Sequence, residues 1–134
     1  MLSQIINKHF ILKKQNYQLI IFVNCAILTL VIDLNITEIL KQTKLSIKNK
    51  TYDMIPTLKN RTSKRKYGLT QFDIEDYILS LKEEDLYKGP EPDRDYPDEE
   101  LFIFKKEIIP NVIFYTKLKL KNDQIKILSC HEDE

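Results

Sequence analysis

The sequence predicts an α+β fold in which N-terminal helices pack on a C-terminal antiparallel sheet. Three observations predict it. Ile36, Ile39, Leu40, Thr43 and Ile47 recur at helical spacing, and so, read as a second helix, do Phe72, Ile74, Ile78 and Leu81. Residues 112–120 instead alternate: Val112, Phe114, Thr116, Leu118 and Leu120 fall on one face, and Ile113, Tyr115, Lys117 and Lys119 on the other. The helical patterns all precede the strand patterns, which is the order of an α+β chain rather than of alternating βαβ units. With 134 residues there is room for one domain with a modest core, plus at most one appendage.

The appendage is residues 1–32, an apolar extension. Its run from Leu19 to Ile32 follows Lys8, His9, Lys13 and Lys14. Fourteen residues of helix reach about 21 Å, short of the roughly 30 Å hydrocarbon core. Asn24 near its centre adds a further cost, and small residues suited to a signal-peptide cleavage site are missing after Ile32. Three readings stay open: a short membrane segment, a buried element of the fold, or an over-extended reading frame with the true start near Leu30 or Val31. The sequence changes character at Asp33. Asn35-Ile-Thr-Glu38 has the spacing of a capping box, so an amphipathic helix is expected over residues 35–48, opening a domain of residues 33–134.

Residues 51–56 read as an extended, Pro-terminated segment. A basic run follows: Lys59, Arg61, Lys64, Arg65 and Lys66 place five positive charges within eight residues. Such a run serves either as a solvated helix or loop face or as a phosphate-tracking patch, since Lys and Arg supply most sequence-independent affinity for nucleic acid. Tyr52 and Tyr67 lie close enough in sequence to stack on unpaired bases or to pack in the core. Gly68 is placed to end a helix in the left-handed conformation. Thr70 caps the next, with Asp73 three residues on and Glu75 and Asp76 favouring the first turn's dipole. Residues 82–87 read as a further helical turn stopped by Gly89-Pro90. Residues 91–100 read as an acidic loop without apolar anchors, expected to be mobile.

Residues 101–108 and 112–120 are the expected strands, joined at Pro110-Asn111. A two-residue Asn122-Asp123 turn then sets Leu120 beside Ile125 and Leu118 beside Ile127. Tyr115, Lys117 and Lys119 form a cationic, aromatic stripe on the opposite face. In that register Tyr115 faces Cys130, and His131 falls on the Phe114 side. Tyr115 and His131 reach one site only if a bulge or a strand end turns His131 round.

Composition narrows the chemistry. Residues 1–70 carry twelve Lys/Arg against three Asp/Glu, and residues 71–134 carry nine against seventeen. A basic and an acidic half suit either a polyanion site with a partner-facing side or a fold that pairs its own charges. Cys25 and Cys130 lack metal-ligand or CxxC spacing, so neither a zinc site nor a disulfide framework is expected, and a reducing, cytoplasmic setting is the default. With Gly68 and Gly89 as the only glycines, P-loop and Rossmann fingerprints are excluded and no nucleotide cofactor is expected.

The order of residues from Asp53 to Glu134 resembles the MqsR family of type II toxin–antitoxin ribonucleases. The resemblance lies in Ile55-Pro56, Lys59-Asn60, Gly68-Leu69-Thr70, Ile78-Leu79-Ser80-Leu81, Asp85, Tyr87-Lys88-Gly89-Pro90, Asp93, Leu101-Phe102-Ile103-Phe104, Tyr115-Thr116-Lys117-Leu118 and Ser129-Cys130-His131. Phe102 stands where that family usually has Trp, Thr116 where it has Ile, and Cys130 where it has Phe. A strand glutamine of its best-known form is replaced near Ile103, and His131 takes the place of a C-terminal lysine. The resemblance implies a RelE-like fold, a metal-independent mRNA endonuclease activity with no cofactor, and a cognate antitoxin protein as partner.

Cleavage of that type uses the ribose 2′-hydroxyl as nucleophile. It needs a base for its proton, cations for the pentacoordinate phosphorus and an acid for the departing 5′-oxygen. Lys88, Tyr115 and His131 are the candidate catalytic residues, with His131 exchanging protons, Tyr115 assisting at the 2′-hydroxyl and Lys88 on phosphate. Lys117, Lys119, Lys59, Arg61, Lys64, Arg65 and Lys66 are the candidate RNA-binding residues. The competing classes are a non-catalytic nucleic-acid or protein binding module and a small membrane-anchored protein.

Overall fold

Helix α1 (Tyr17–Asn49) contains the boundary between the chain's two compact units, Met1–Asn35 and Ile36–Glu134. The structure, a computed structural model, describes residues 17–134; Lys8, His9, Lys13 and Lys14 lie outside them. No helix among the described residues is long and apolar enough to cross a membrane. The helix expected to begin at Asn35 is already running there. A capping residue starts a helix only where the chain before it leaves the helical region, and residues 17–34 contain neither Gly nor Pro to make it do so. In the second unit, Ile36, Ile39, Leu40, Thr43 and Ile47 are buried at the expected spacing.

After α1 come β1 (Asp53–Met54), α2 (Leu58–Lys66), α3 (Gln71–Leu79), a 3-10 turn (Glu83–Asp85), β2 (Leu86–Pro92), β3 (Glu100–Ile109), β4 (Val112–Lys121) and β5 (Gln124–Glu132). The strands form one sheet in the order β1-β5-β4-β3-β2, antiparallel except for β1, which pairs parallel to β5. The fold is α+β, with the helices packed on the sheet.

Local chemistry explains most boundaries. Thr57 caps α2 by accepting from the Asn60 N–H at 3.1 Å. Gly68 closes α2 at φ +61°. Thr70 and Asp73 form the reciprocal capping box at the start of α3. Ile74, Tyr77, Ile78 and Leu81 are buried, but Phe72 is 72% exposed. It sits two residues from Ile74, about 200° around the helix, so it cannot share the apolar side. The Lys50 ammonium covers its ring at 5.1 Å.

Glu75 is not a solvated first-turn acid. It is buried, and binds the Lys50 ammonium and the Tyr52 hydroxyl, the latter at 2.6 Å. The Lys50 bond, reinforced by Tyr52, holds its carboxyl below the usual range. A depressed carboxylate stabilises the fold above its unfolded pKa of about 4.3 and loses that contribution as pH falls through the lower folded value. Glu75→Gln is therefore expected to lower Tm by about 4–8 °C near neutrality. Melting curves of the two proteins should converge only once pH falls below that lowered folded value, where the wild-type carboxylate is itself protonated.

The turn expected over residues 82–87 is helical only to Asp85. Leu86–Pro92 is an edge strand on β3, where a Gly and a Pro are tolerated. Gly89 adopts φ +119°, and a Cβ there would lie 2.5 Å from the Leu101 carbonyl oxygen, so the close approach of β2 to β3 requires glycine. The acidic stretch of residues 91–100, expected to be mobile for want of apolar anchors, is held by charge instead. Asp93 (at 2.5 Å) and Glu99 both bind the Lys119 ammonium, Lys121 binds Glu99 at 3.1 Å, and the Tyr96 ring lies against both lysines. The anchors are charges twenty or more residues downstream, which local reading does not reach.

The β4–β5 hairpin turns at Asn122 and Asp123, both with positive φ (50° and 60°), as a two-residue primed turn requires. Leu120 pairs with Ile125 and Leu118 with Ile127, as expected. Phe102, Phe104, Phe114, Thr116, Leu118, Ile125, Ile127 and Cys130 are buried in the sheet, as are Leu101 and Ile103. Among them the Tyr77 hydroxyl lies 3.0 Å from Thr116 Oγ1. Burial pushes the Cys130 thiol up to about 12, which makes it a packing group rather than a nucleophile.

Candidate active-site groove

One residue in β5 decides the site. Leu118 pairs with Ile127, but the next pair is Lys117 with Ser129, so Leu128 is an extra residue in β5. Beyond the bulge the register moves by one: Thr116 pairs with Cys130 and Tyr115 with His131. The slip keeps Cys130 in the core and turns His131 to the Tyr115 side. Their rings stack, with centroids 5.5 Å apart and planes inclined by 20°.

Pairing across the sheet arranges the outer face in rows. Lys105, Tyr115 and His131 make one, and Lys88, Ile103, Lys117 and Ser129 the next. The Lys117 ammonium lies 5.9 Å from the Tyr115 ring centroid. Tyr115, Lys117, Ser129, His131, Lys59, Asp133 and Glu134 line a surface groove of about 380 Å³. It shares Lys117 and Ser129 with a larger hollow under the loop of residues 91–96, and Lys59, His131 and Glu134 with a hollow beside α2.

His131 Nδ1 is 2.9 Å from the Glu132 carbonyl oxygen. A carbonyl only accepts, so Nδ1 carries the proton and neutral His131 presents its lone pair at Nε2. Lys88 is exposed and bound to Glu91 at 3.1 Å. That bond chiefly, with smaller contributions from neighbours including Tyr115, raises its pKa.

α2 packs on β5 and holds the bulged end in place. Asn60 is fully buried; its Oδ1 accepts from the Cys130 N–H at 2.8 Å and its Nδ2 donates to the Ile55 carbonyl at 2.8 Å. Ser63 Oγ accepts from the Glu132 N–H at 2.9 Å. β1 covers this edge of β5 only at Lys126 and Ile127, so these two side chains take over where the strand stops.

The structure thus brings Tyr115, Lys117, His131 and Lys59 into one groove, with Lys88 in the same row as Lys117. Lys66 lines the adjoining hollow and binds Glu132 at 2.8 Å. Lys64 donates to Gln71 at 2.8 Å, and Arg61 and Arg65 are exposed on α2 without lining the groove. Lys119 is buried under the acidic loop and its ammonium is taken by Asp93 and Glu99, so it anchors that loop. Sequence reading missed Ser129, Lys105 and Asp133 as neighbours of the site. Among the described residues, no group of three or more His, Cys, Asp or Glu side chains is placed to hold a metal ion. In comparisons with known proteins, no family model matches the chain and no curated protein matches it.

Proposed function

We propose that this chain is a metal-independent endoribonuclease that cleaves mRNA by 2′-hydroxyl transesterification, acting as the toxin of a type II toxin–antitoxin pair. The observation that carries the reading is the bulge at Leu128, which stacks His131 on Tyr115 one row from Lys117. An imidazole, a phenol and an ammonium thereby share one groove. The resemblance in residue order supports the toxin role and the antitoxin partner.

In this mechanism His131 Nε2 takes the 2′-hydroxyl proton, and the Tyr115 hydroxyl holds that group in place. The 2′-oxygen bonds to phosphorus while the Lys117 and Lys88 ammonium groups offset the charge gathering on the non-bridging oxygens. The bond from phosphorus to the 5′-oxygen then breaks, and that oxygen leaves as a hydroxyl with a proton from Lys117. The products are a 2′,3′-cyclic phosphate and a 5′-hydroxyl end.

Purified protein incubated with single-stranded RNA in EDTA is expected to yield those two end groups, and RNA with 2′-deoxyribose at the cut position should resist. Fragments ending in 3′-hydroxyl and 5′-phosphate, or loss of cutting in EDTA, would reject the mechanism. Retention of RNA without any cutting would leave a binding module.

A further inference from the structure

The three residues after His131 are all acidic, and each binds a different lysine. Glu132 lies 2.8 Å from Lys66 and accepts from the Tyr67 hydroxyl at 2.5 Å; Asp133 lies 3.0 Å from Lys105; Glu134 lies 3.4 Å from Lys59. The lysines come from two elements, α2 and β3, on either side of the end of β5. Lys59, Asp133 and Glu134 line the groove with Tyr115, Lys117 and His131, and Lys66 lines the hollow that opens from it. Lys105 stands in the Tyr115–His131 row with its ammonium 3.9 Å from the Tyr87 ring centroid.

We propose that Lys59, Lys66 and Lys105 form a phosphate track flanking the groove, that Glu132, Asp133 and Glu134 occupy it in the free protein, and that single-stranded RNA binds by exchanging these carboxylates for its phosphates. The inference rests on the ribonuclease reading and names the backbone contacts of the same site.

The pairs are suited to exchange. The Lys59 and Glu134 side chains are 61% and 74% exposed, and pairs of that kind are screened and contribute little. An RNA strand brings several phosphates together, so capture of one phosphate raises the effective concentration of the next at the neighbouring lysine. The Lys105–Asp133 pair is more sheltered, with both side chains a little over a quarter exposed, and is the stronger competitor. When Asp133 is displaced, the Tyr87 ring still holds the Lys105 ammonium beside the groove. The acidic segment therefore weakens binding to any single phosphate group and favours polyanions that displace several carboxylates at once.

The test is fluorescence anisotropy with a labelled, uncleavable 2′-O-methyl RNA oligonucleotide at low salt. Neutralising two carboxylates with Asp133→Asn and Glu134→Gln is expected to lower Kd by about tenfold. Adding Lys59→Ala and Lys105→Ala should erase the gain. A control with the same net charge, Asp98→Asn with Glu107→Gln at exposed positions elsewhere, should move Kd by less than about twofold. A Kd that is unchanged or higher in the first variant overturns the inference, as does a gain that survives removal of the lysines. If the wild type binds as tightly as the variant, only this inference falls. If neither binds the oligonucleotide, the ribonuclease reading falls with it.

Discussion

His131→Ala is expected to slow RNA cleavage by about 10²–10⁴-fold, the usual worth of a positioned acid–base group, while the Kd for an uncleavable RNA stays within a few-fold of wild type. The split follows from where His131 sits. Its ring contributes a stack on Tyr115 and a lone pair at Nε2, with Nδ1 committed to the Glu132 carbonyl, whereas the cations proposed to hold phosphate belong to other residues. Added imidazole should restore part of the lost rate, because the vacated space lies against the Tyr115 ring at the open surface of the sheet. Single-turnover cleavage measured beside anisotropy separates the outcomes. Wild-type rates in the variant would remove His131 from the chemistry, and a parallel loss of rate and binding would reduce it to a contact residue.

Asn60→Ala should be the most damaging single change to the site's architecture that touches none of its reacting groups. The side chain is 1% exposed and satisfies two backbone groups, the Cys130 N–H and the Ile55 carbonyl. Alanine leaves both without a partner, at about 1–3 kcal/mol for each buried group, so a loss of about 2–4 kcal/mol is expected from the urea midpoint. Cleavage by the fraction that remains folded should also fall, because Cys130 precedes His131 on the strand that Asn60 clamps. A variant within about 0.5 kcal/mol of wild type would show that water replaces the amide and that the clamp is not what holds β5.

Much of this architecture was legible from short-range chemistry. Thr70 with Asp73, Gly68 after the basic run, and Asn122-Asp123 between two alternating stretches each act through groups a few residues apart, and each stands where it was expected. The misreadings share one cause. Asn35 has a good capping pattern, but whether it caps depends on the chain before it, and that chain is helical. Gly89-Pro90 stops a helix in isolation, yet Leu101 lies against it and makes it an edge strand. The acidic loop looked unanchored because Lys119 and Lys121, which hold it, are distant in sequence.

The bulge at Leu128 falls between these cases. Ile125 and Ile127 set the apolar alternation, and the next residue in phase is Ser129, with Cys130 out of phase. That slip is a signal for an extra residue, but it competes with the simpler reading of a strand ending in polar positions.

Local sequence was enough to establish the class of fold, the caps and turns, the two faces of the central hairpin and the types of side chain available for phosphate chemistry, since propensity and periodicity act within a turn or a pleat. Which lysines line the groove and which are taken by carboxylates, and whether His131 meets Tyr115, came from pairing between distant segments. A one-residue change in strand register reverses every side chain beyond it, and a buried amide from α2 holds the register that puts them together.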